Sequence, residues 1–165
     1  MGKKTPDTTP GLGATEVDAL GPVRVLVVRE QSRNSLTNGV LEEAISTAVA
    51  AGGILATFVD STSNSTLHAL IMLRRAKKIN TPFEIVLSGL DLSDSQVGGL
   101  QIADAVGNEN LARHFILFNQ GFIPEGLMRG RAVPIYALNY PGVSKIVDAL
   151  NKGVQTVLTP TPRTA

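Results

Sequence analysis

Five short apolar runs punctuate the chain: VRVLVV (23–28), GILATFV (53–59), FEIVLS (83–88), HFILF (114–118) and VPIYAL (133–138). Each is rich in Val, Ile or Phe, and each gives way to polar or turn residues. Strands buried on both faces of a sheet need such continuous apolar runs rather than alternating ones. Between the runs the spacing is helical. Leu36, Val40, Leu41, Ala44, Ile45, Ala48 and Val49 fall on one stripe, which Gly52–Gly53 end. Leu67, Leu70 and Ile71 begin a second stripe, with Arg74, Arg75, Lys77 and Lys78 in its last turns, where cations suit the helix dipole. Val97, Leu100, Ala103 and Val106 form a third, ending at Gly107. A fourth, short helical segment lies around Pro124–Arg131, interrupted by Gly126 and Gly130, and Val143, Ile146, Val147, Leu150 and Val154 make a fifth.

Five β-then-α units predict an α/β fold, a doubly wound five-stranded parallel sheet with helices on both faces. Pro134 refines this, because a proline cannot donate to a ladder and so places the fifth strand at an edge. The flavodoxin-like strand order 2-1-3-4-5 has its fifth strand at an edge. Residues 1–22, with Pro6, Pro10 and Pro22 among glycines and almost no apolar pattern, read as a flexible leader. The domain spans 23–156, and 157–165 reads as a flexible tail.

Composition narrows the chemistry. The 165 residues are 43% hydrophobic and 18% charged, enough for a real core. A net charge of +1 supplies no broad field, which argues against a nucleic-acid or membrane-surface binder. With Cys 0 and His 2, thiolate sites, disulfides and a histidine metal site are excluded. No run is long enough to span a bilayer and the start lacks a signal-type apolar region, so the expectation is a soluble, cytoplasmic domain. There is no G-x-G-x-x-G after the first strand, no Walker A motif and no G-x-S-x-G; GLGATE (11–16) follows no strand.

In an open doubly wound sheet, ligands sit outside the carboxyl ends of the strands, at the crevice between strands 1 and 3. Strand 1 ends in Arg29 and Glu30, strand 3 in Ser88 and Gly89 with Asp91 just beyond, strand 4 in Asn119 and Gln120, and strand 5 in Asn139 and Tyr140. The five units, the stretch EIVLSGLDLSDSQVGGLQIADAV and the closing NYPGVSKIVDAL resemble the receiver domain of bacterial response regulators over about residues 22–153. In that family an acidic pair ends strand 1, the phospho-accepting Asp ends strand 3, Ser or Thr ends strand 4, and a Lys precedes Pro after strand 5. Here the acidic pair becomes Arg29 and Glu30, the acceptor position falls on Gly89, the Ser/Thr position on Asn119 and the Lys position on Asn139. The resemblance therefore implies a degenerate, pseudo-receiver type lacking the phospho-accepting Asp. Tyr136, three residues before Asn139, stands at the family's switch aromatic; its other reading is a buried ring.

The residues say the same without the family. Aspartyl phosphorylation needs a carboxylate nucleophile, a Mg²⁺ held by further carboxylates and a cation for the phosphoryl charge. Only Glu30 offers a near carboxylate, and a divalent ion beside the Arg29 guanidinium is unfavourable. Arg29 either pairs with an acid in place of a metal or simply leaves the strand solvated. Asp94 reads as the N-cap of the third helix, and Asp91 as a loop residue after the strand whose other reading is an alternative acceptor. Glu30, Asp91 and Asp94 together also faintly suggest a Toprim-like Mg²⁺ site. EQSRNSLTNG (30–39), with Ser35 and Thr37, admits phosphate binding as in flavodoxin-like FMN proteins, or an ordinary capped helix start. The basic run 74–78 reads as a solvated helix end, and His68 and His114 as structural or surface residues.

The expectation is a phosphorylation-independent signalling module of the two-component type, with no catalytic residues, cofactor or metal. It would work through a protein partner, not nucleic acid or membrane. Its surface would be the fourth helix, strand 5 with Tyr136 and Tyr140, and the fifth helix, or the crevice mouth, with a homodimer through the first face. The alternative is a flavodoxin-like binder of a small ligand or phosphate-bearing cofactor, with or without enzyme activity.

Overall fold

The structure, a computed structural model, describes residues 22–30, 35–59, 63–139 and 141–159, without the side chains of 35–38. Five strands, β1 (Val23–Val28), β2 (Ile54–Phe58), β3 (Ile85–Gly89), β4 (His114–Asn119) and β5 (Ile135–Asn139), form one parallel sheet in the order β2-β1-β3-β4-β5. The helices are α1 (Ser35–Ala50), α2 (Ser65–Lys78), α3 (Gly98–Glu109) and α4 (Val143–Leu158). The expected fold class and strand order are both present. Pro134 stands immediately before edge strand β5, where its missing N–H costs the ladder nothing.

Alternate strand residues point to opposite faces, and each face has its own core. Leu26, Val28, Val86, Phe115 and Leu117 pack under α2 and α3 with Leu73, Leu100, Ile102 and Val106. Val25, Val27, Ile85, Leu87, Ile116 and Phe118 pack under α1 and α4 with Leu41, Ile45, Ile146 and Leu150. Val157 is buried too, so the packed body runs past residue 156 to the end of α4. No helix among the described residues is long and apolar enough to cross a membrane.

Four local expectations are corrected. The fourth helix is only a 3-10 turn, Glu125–Leu127: Pro124 enters it in an extended conformation and Gly130 leaves at φ +70°. Arg131 ties this segment to α3 through Asp104 at 2.7 Å and to the Leu127 carbonyl. In α2, Leu67 and Ile71 face solvent, while the small residues Ser65, Thr66, Ala69 and Ala76 and the larger Leu73 pack inward. Val97 likewise is exposed and precedes α3 rather than opening its buried stripe. Gly107 does not end α3 either; the chain turns at Asn110 in the left-handed region, φ 54°.

Gly107 lies where the Ala132 backbone crosses the helix, leaving no room for a Cβ. The glycine pair at the start of α3 does the same work at the carboxyl end of the sheet. A Cβ on Gly98 would strike Thr66 Oγ1 and Leu92, and one on Gly99 would strike the Gly89 carbonyl and come within 2.6 Å of Leu117 Cδ1. At Gly99 the clash is with backbone, the Gly89 carbonyl and the Leu90 Cα, which cannot swing aside as a side-chain tip can. Gly99→Ala should therefore lose roughly 2–3 kcal/mol in denaturant unfolding. Gly126→Ala, at a position with nothing within 4 Å, should stay near wild type. Equal stability of the two variants would contradict this packing.

Candidate functional site

The carboxyl ends of β1, β3 and β4 meet at the crevice, and the loop after β3 is clamped from below. Asp94 accepts hydrogen bonds from the Thr66 N–H (2.9 Å), the Thr66 hydroxyl (2.6 Å) and the Leu67 N–H (3.2 Å). Ser93 Oγ accepts from the Ser65 N–H at 3.2 Å. Asp94 thus caps α2, not the third helix as expected. Burial acts to raise its pKa, but the Thr66 and Leu67 hydrogen bonds outweigh that and hold the carboxyl below its ordinary value. Leu92 and Ser95 close the loop by a small antiparallel bridge.

Glu30 lies at the centre. The residue is 3% exposed, and among the described residues neither carboxyl oxygen has a well-aligned hydrogen-bond partner, although the Gln120 backbone N–H lies near enough to act on it. It folds over the end of β3, so that a Cβ on Gly89 would fall on Glu30 Cγ and within 3.3 Å of its backbone N and Cα. Glu30 thus occupies the space into which any side chain at position 89 would project. Burial pushes its pKa from 4.5 to about 7; the charge of Asp91 adds to the rise, and the Gln120 backbone N–H offsets part of it. Ser88, fully buried, donates its hydroxyl to the Gly89 carbonyl at 2.8 Å.

The other expected site residues disperse. Arg29 does pair with an acid and is not simply solvated: it meets Glu42 of α1 at 3.0 Å and lies 4.2 Å over the Phe58 ring of β2. Asn139 accepts the Ile123 N–H at 2.8 Å, pinning the segment after β4 to the sheet edge. Asn119 is half-buried opposite Asn139 in the ladder. Asp91 sits near enough to act on Glu30, but Asp94 is committed to α2, so the three acids of the Toprim-like reading do not converge. Among the described residues no group of three or more acids and histidines comes together to hold a metal.

Tyr136 is not buried. It is 36% exposed on the outer strand, its ring 6.2 Å from that of His114 and 6.0 Å from the Lys152 ammonium. Tyr140, the side chains of Ser35 and Thr37, and the segments 1–21 and 160–165 lie outside the described residues. The basic run is partly engaged, with Arg74 making a bidentate pair with Glu109. His68 is exposed and His114 half-buried, as structural or surface readings require.

Sequence reasoning missed the contact between Glu30 and Gly89. A glycine at a strand end beside the single retained acid is the signal that points to it, since side-chain volume removed from one strand end is available to its neighbour.

No protein-family model matches the sequence, and no curated protein matches it. Among solved structures, the chain is similar to the signal receiver domain of an HD domain-containing protein from Pseudomonas fluorescens Pf-5. The TM-score is 0.58 at 14% identity, covering 82% of this chain and 97% of that one. It is also similar to a protein described as pilus assembly-related from Burkholderia pseudomallei K96243, with TM-score 0.51 and 17% identity over 81% of this chain and 90% of that one. At these identities the likeness shows a shared fold, the receiver-like α/β sheet.

The buried carboxyl has a thermodynamic consequence. Native Glu30 keeps its proton until about pH 7, whereas the unfolded chain releases it near 4.5. Stability therefore falls as pH rises through that window and levels off above it. His114, whose pKa burial lowers, acts with the opposite sign, so the comparison with Glu30→Gln isolates the effect. In urea unfolding, wild type should lose roughly 2–3 kcal/mol relative to Glu30→Gln between about pH 5 and 8. A pH-independent difference would contradict the burial of the Glu30 carboxyl.

Proposed function

We propose that this chain is a receiver-like signalling module that works by protein–protein contact and without phosphoryl transfer. The observation that carries the reading is the Glu30 side chain lying in the space above Gly89. An acceptor carboxylate at the end of β3 needs that space and needs a metal and a cation beside it. Here the position has no side chain, the neighbouring acid fills its volume, Asn139 is spent on the Ile123 N–H, and Arg29 is turned to Glu42 and Phe58. The likeness in fold to a signal receiver domain supports the signalling class.

The contact surface proposed is the face made by the 3-10 turn, β5 and α4. Tyr136, Lys145, Asp148 and Lys152 line a groove between β5 and α4, and Leu127 is partly exposed nearby in sequence to Phe122, which is 69% exposed. Exposed aromatics of this kind are the usual anchors of protein interfaces. A protein partner or a second copy of the chain would dock there.

The test is an amide NMR titration of the full chain with Mg²⁺ and beryllofluoride, a phosphoryl mimic. The expected result is no cluster of shifts at Glu30, Gly89 and Asn119. Gly89→Asp alone should also remain unphosphorylated by acetyl phosphate, because Asn139 supplies no cation for the phosphoryl charge and Arg29 is turned to Glu42 and Phe58. A saturable shift cluster at those three residues in the wild-type chain would overturn the reading.

A further inference from the structure

Glu30 combines properties that space-filling alone does not require. An uncharged side chain of the same length would cover Gly89 equally well without burying a carboxyl whose oxygens lack a well-aligned hydrogen bond among the described residues. The groups around it disfavour its charged form. From the loop after β3, Asp91 presents a like charge; from the end of β4 the Gln120 backbone N–H offsets only part of this; and its neighbour Arg29 is held by Glu42 and Phe58. Among the described residues, no cation is seen facing the carboxyl.

We propose that Glu30 is a proton-operated latch on the crevice: as the neutral acid it lies closed over Gly89, and as the carboxylate it turns out to solvent and opens the space between the ends of β1, β3 and β4. The proton is exchanged with water, and no other bond is made or broken. Closing restores the packing over Gly89; opening restores hydration to a charge that the Gln120 N–H alone only partly offsets inside. Gly89 is what makes the closed position available, since any Cβ there would expel the Glu30 methylenes. The open crevice would expose the Gly89 backbone and the Asn119 side chain, so its availability to a partner rises with pH around neutrality.

The proposal rests on the reading that no acceptor occupies the crevice. Its test uses pH alone, with neither Mg²⁺ nor a phosphoryl mimic, so either idea can fail while the other stands. In the isotope-labelled full chain, the nuclear Overhauser contact between Glu30 Hγ and Gly89 Hα is measured near pH 5 and about pH 9, on either side of the Glu30 titration. The expected result is a contact present at the lower pH and lost at the higher in wild type, but kept at both in Glu30→Gln, which preserves size and cannot ionise. Gly89→Ala should return the Glu30 carboxyl titration towards 4.5. A wild-type contact that survives at the higher pH, or one that Glu30→Gln loses there, would overturn the latch; that pair decides the matter even if Gly89→Ala does not fold.

Discussion

The close approach of the Glu30 side chain to the backbone of Gly89 sets the character of the whole crevice. It is a steric constraint first, because the two strand ends stand side by side in the sheet and only one side chain fits above them. It becomes an electrostatic one through burial. A carboxyl sealed from water resists ionising, Asp91 deepens that resistance, and the Gln120 backbone N–H relieves only part of it. The crevice where a doubly wound fold ordinarily receives ligands is thus filled from within by an acid that is largely neutral below its shifted pKa.

That contact persists because the surrounding backbone is held tightly. Gly98 and Gly99 let α3 approach the end of β3 more closely than any other residue would allow. Asp94 and Ser93 fasten the intervening loop to the first turn of α2, so the β3 end is braced by a helix from the preceding unit. On the far side, Asn139 fixes Ile123 to the sheet edge. Each brace joins segments remote in sequence, which makes the crevice a product of tertiary packing rather than of any one loop.

The strands were legible because burial on both faces demands unbroken apolar runs, as VRVLVV and HFILF show. Pro134 identified the edge strand for a reason that needs no neighbours. The helices were less transparent where small residues do the packing. Leu67 and Ile71 satisfy a helical period, yet Thr66, Ala69 and Ala76 form much of the inner face. Asp94 was read as a local cap, but its partners lie 27 and 28 positions earlier, beyond the reach of any spacing rule. The positions of the crevice were readable from topology, since the ends of parallel strands follow from the strands themselves. The burial of Glu30 was not, because it depends on a side chain missing from a different strand.

The central claim is that Glu30 fills the space over Gly89, and a high-resolution crystal structure of the full chain grown near pH 6 tests it most directly. The account predicts Glu30 Cγ in van der Waals contact with the Gly89 backbone and a carboxyl buried out of reach of water. A Glu30 side chain turned to solvent at that pH, with open space above Gly89, would contradict it.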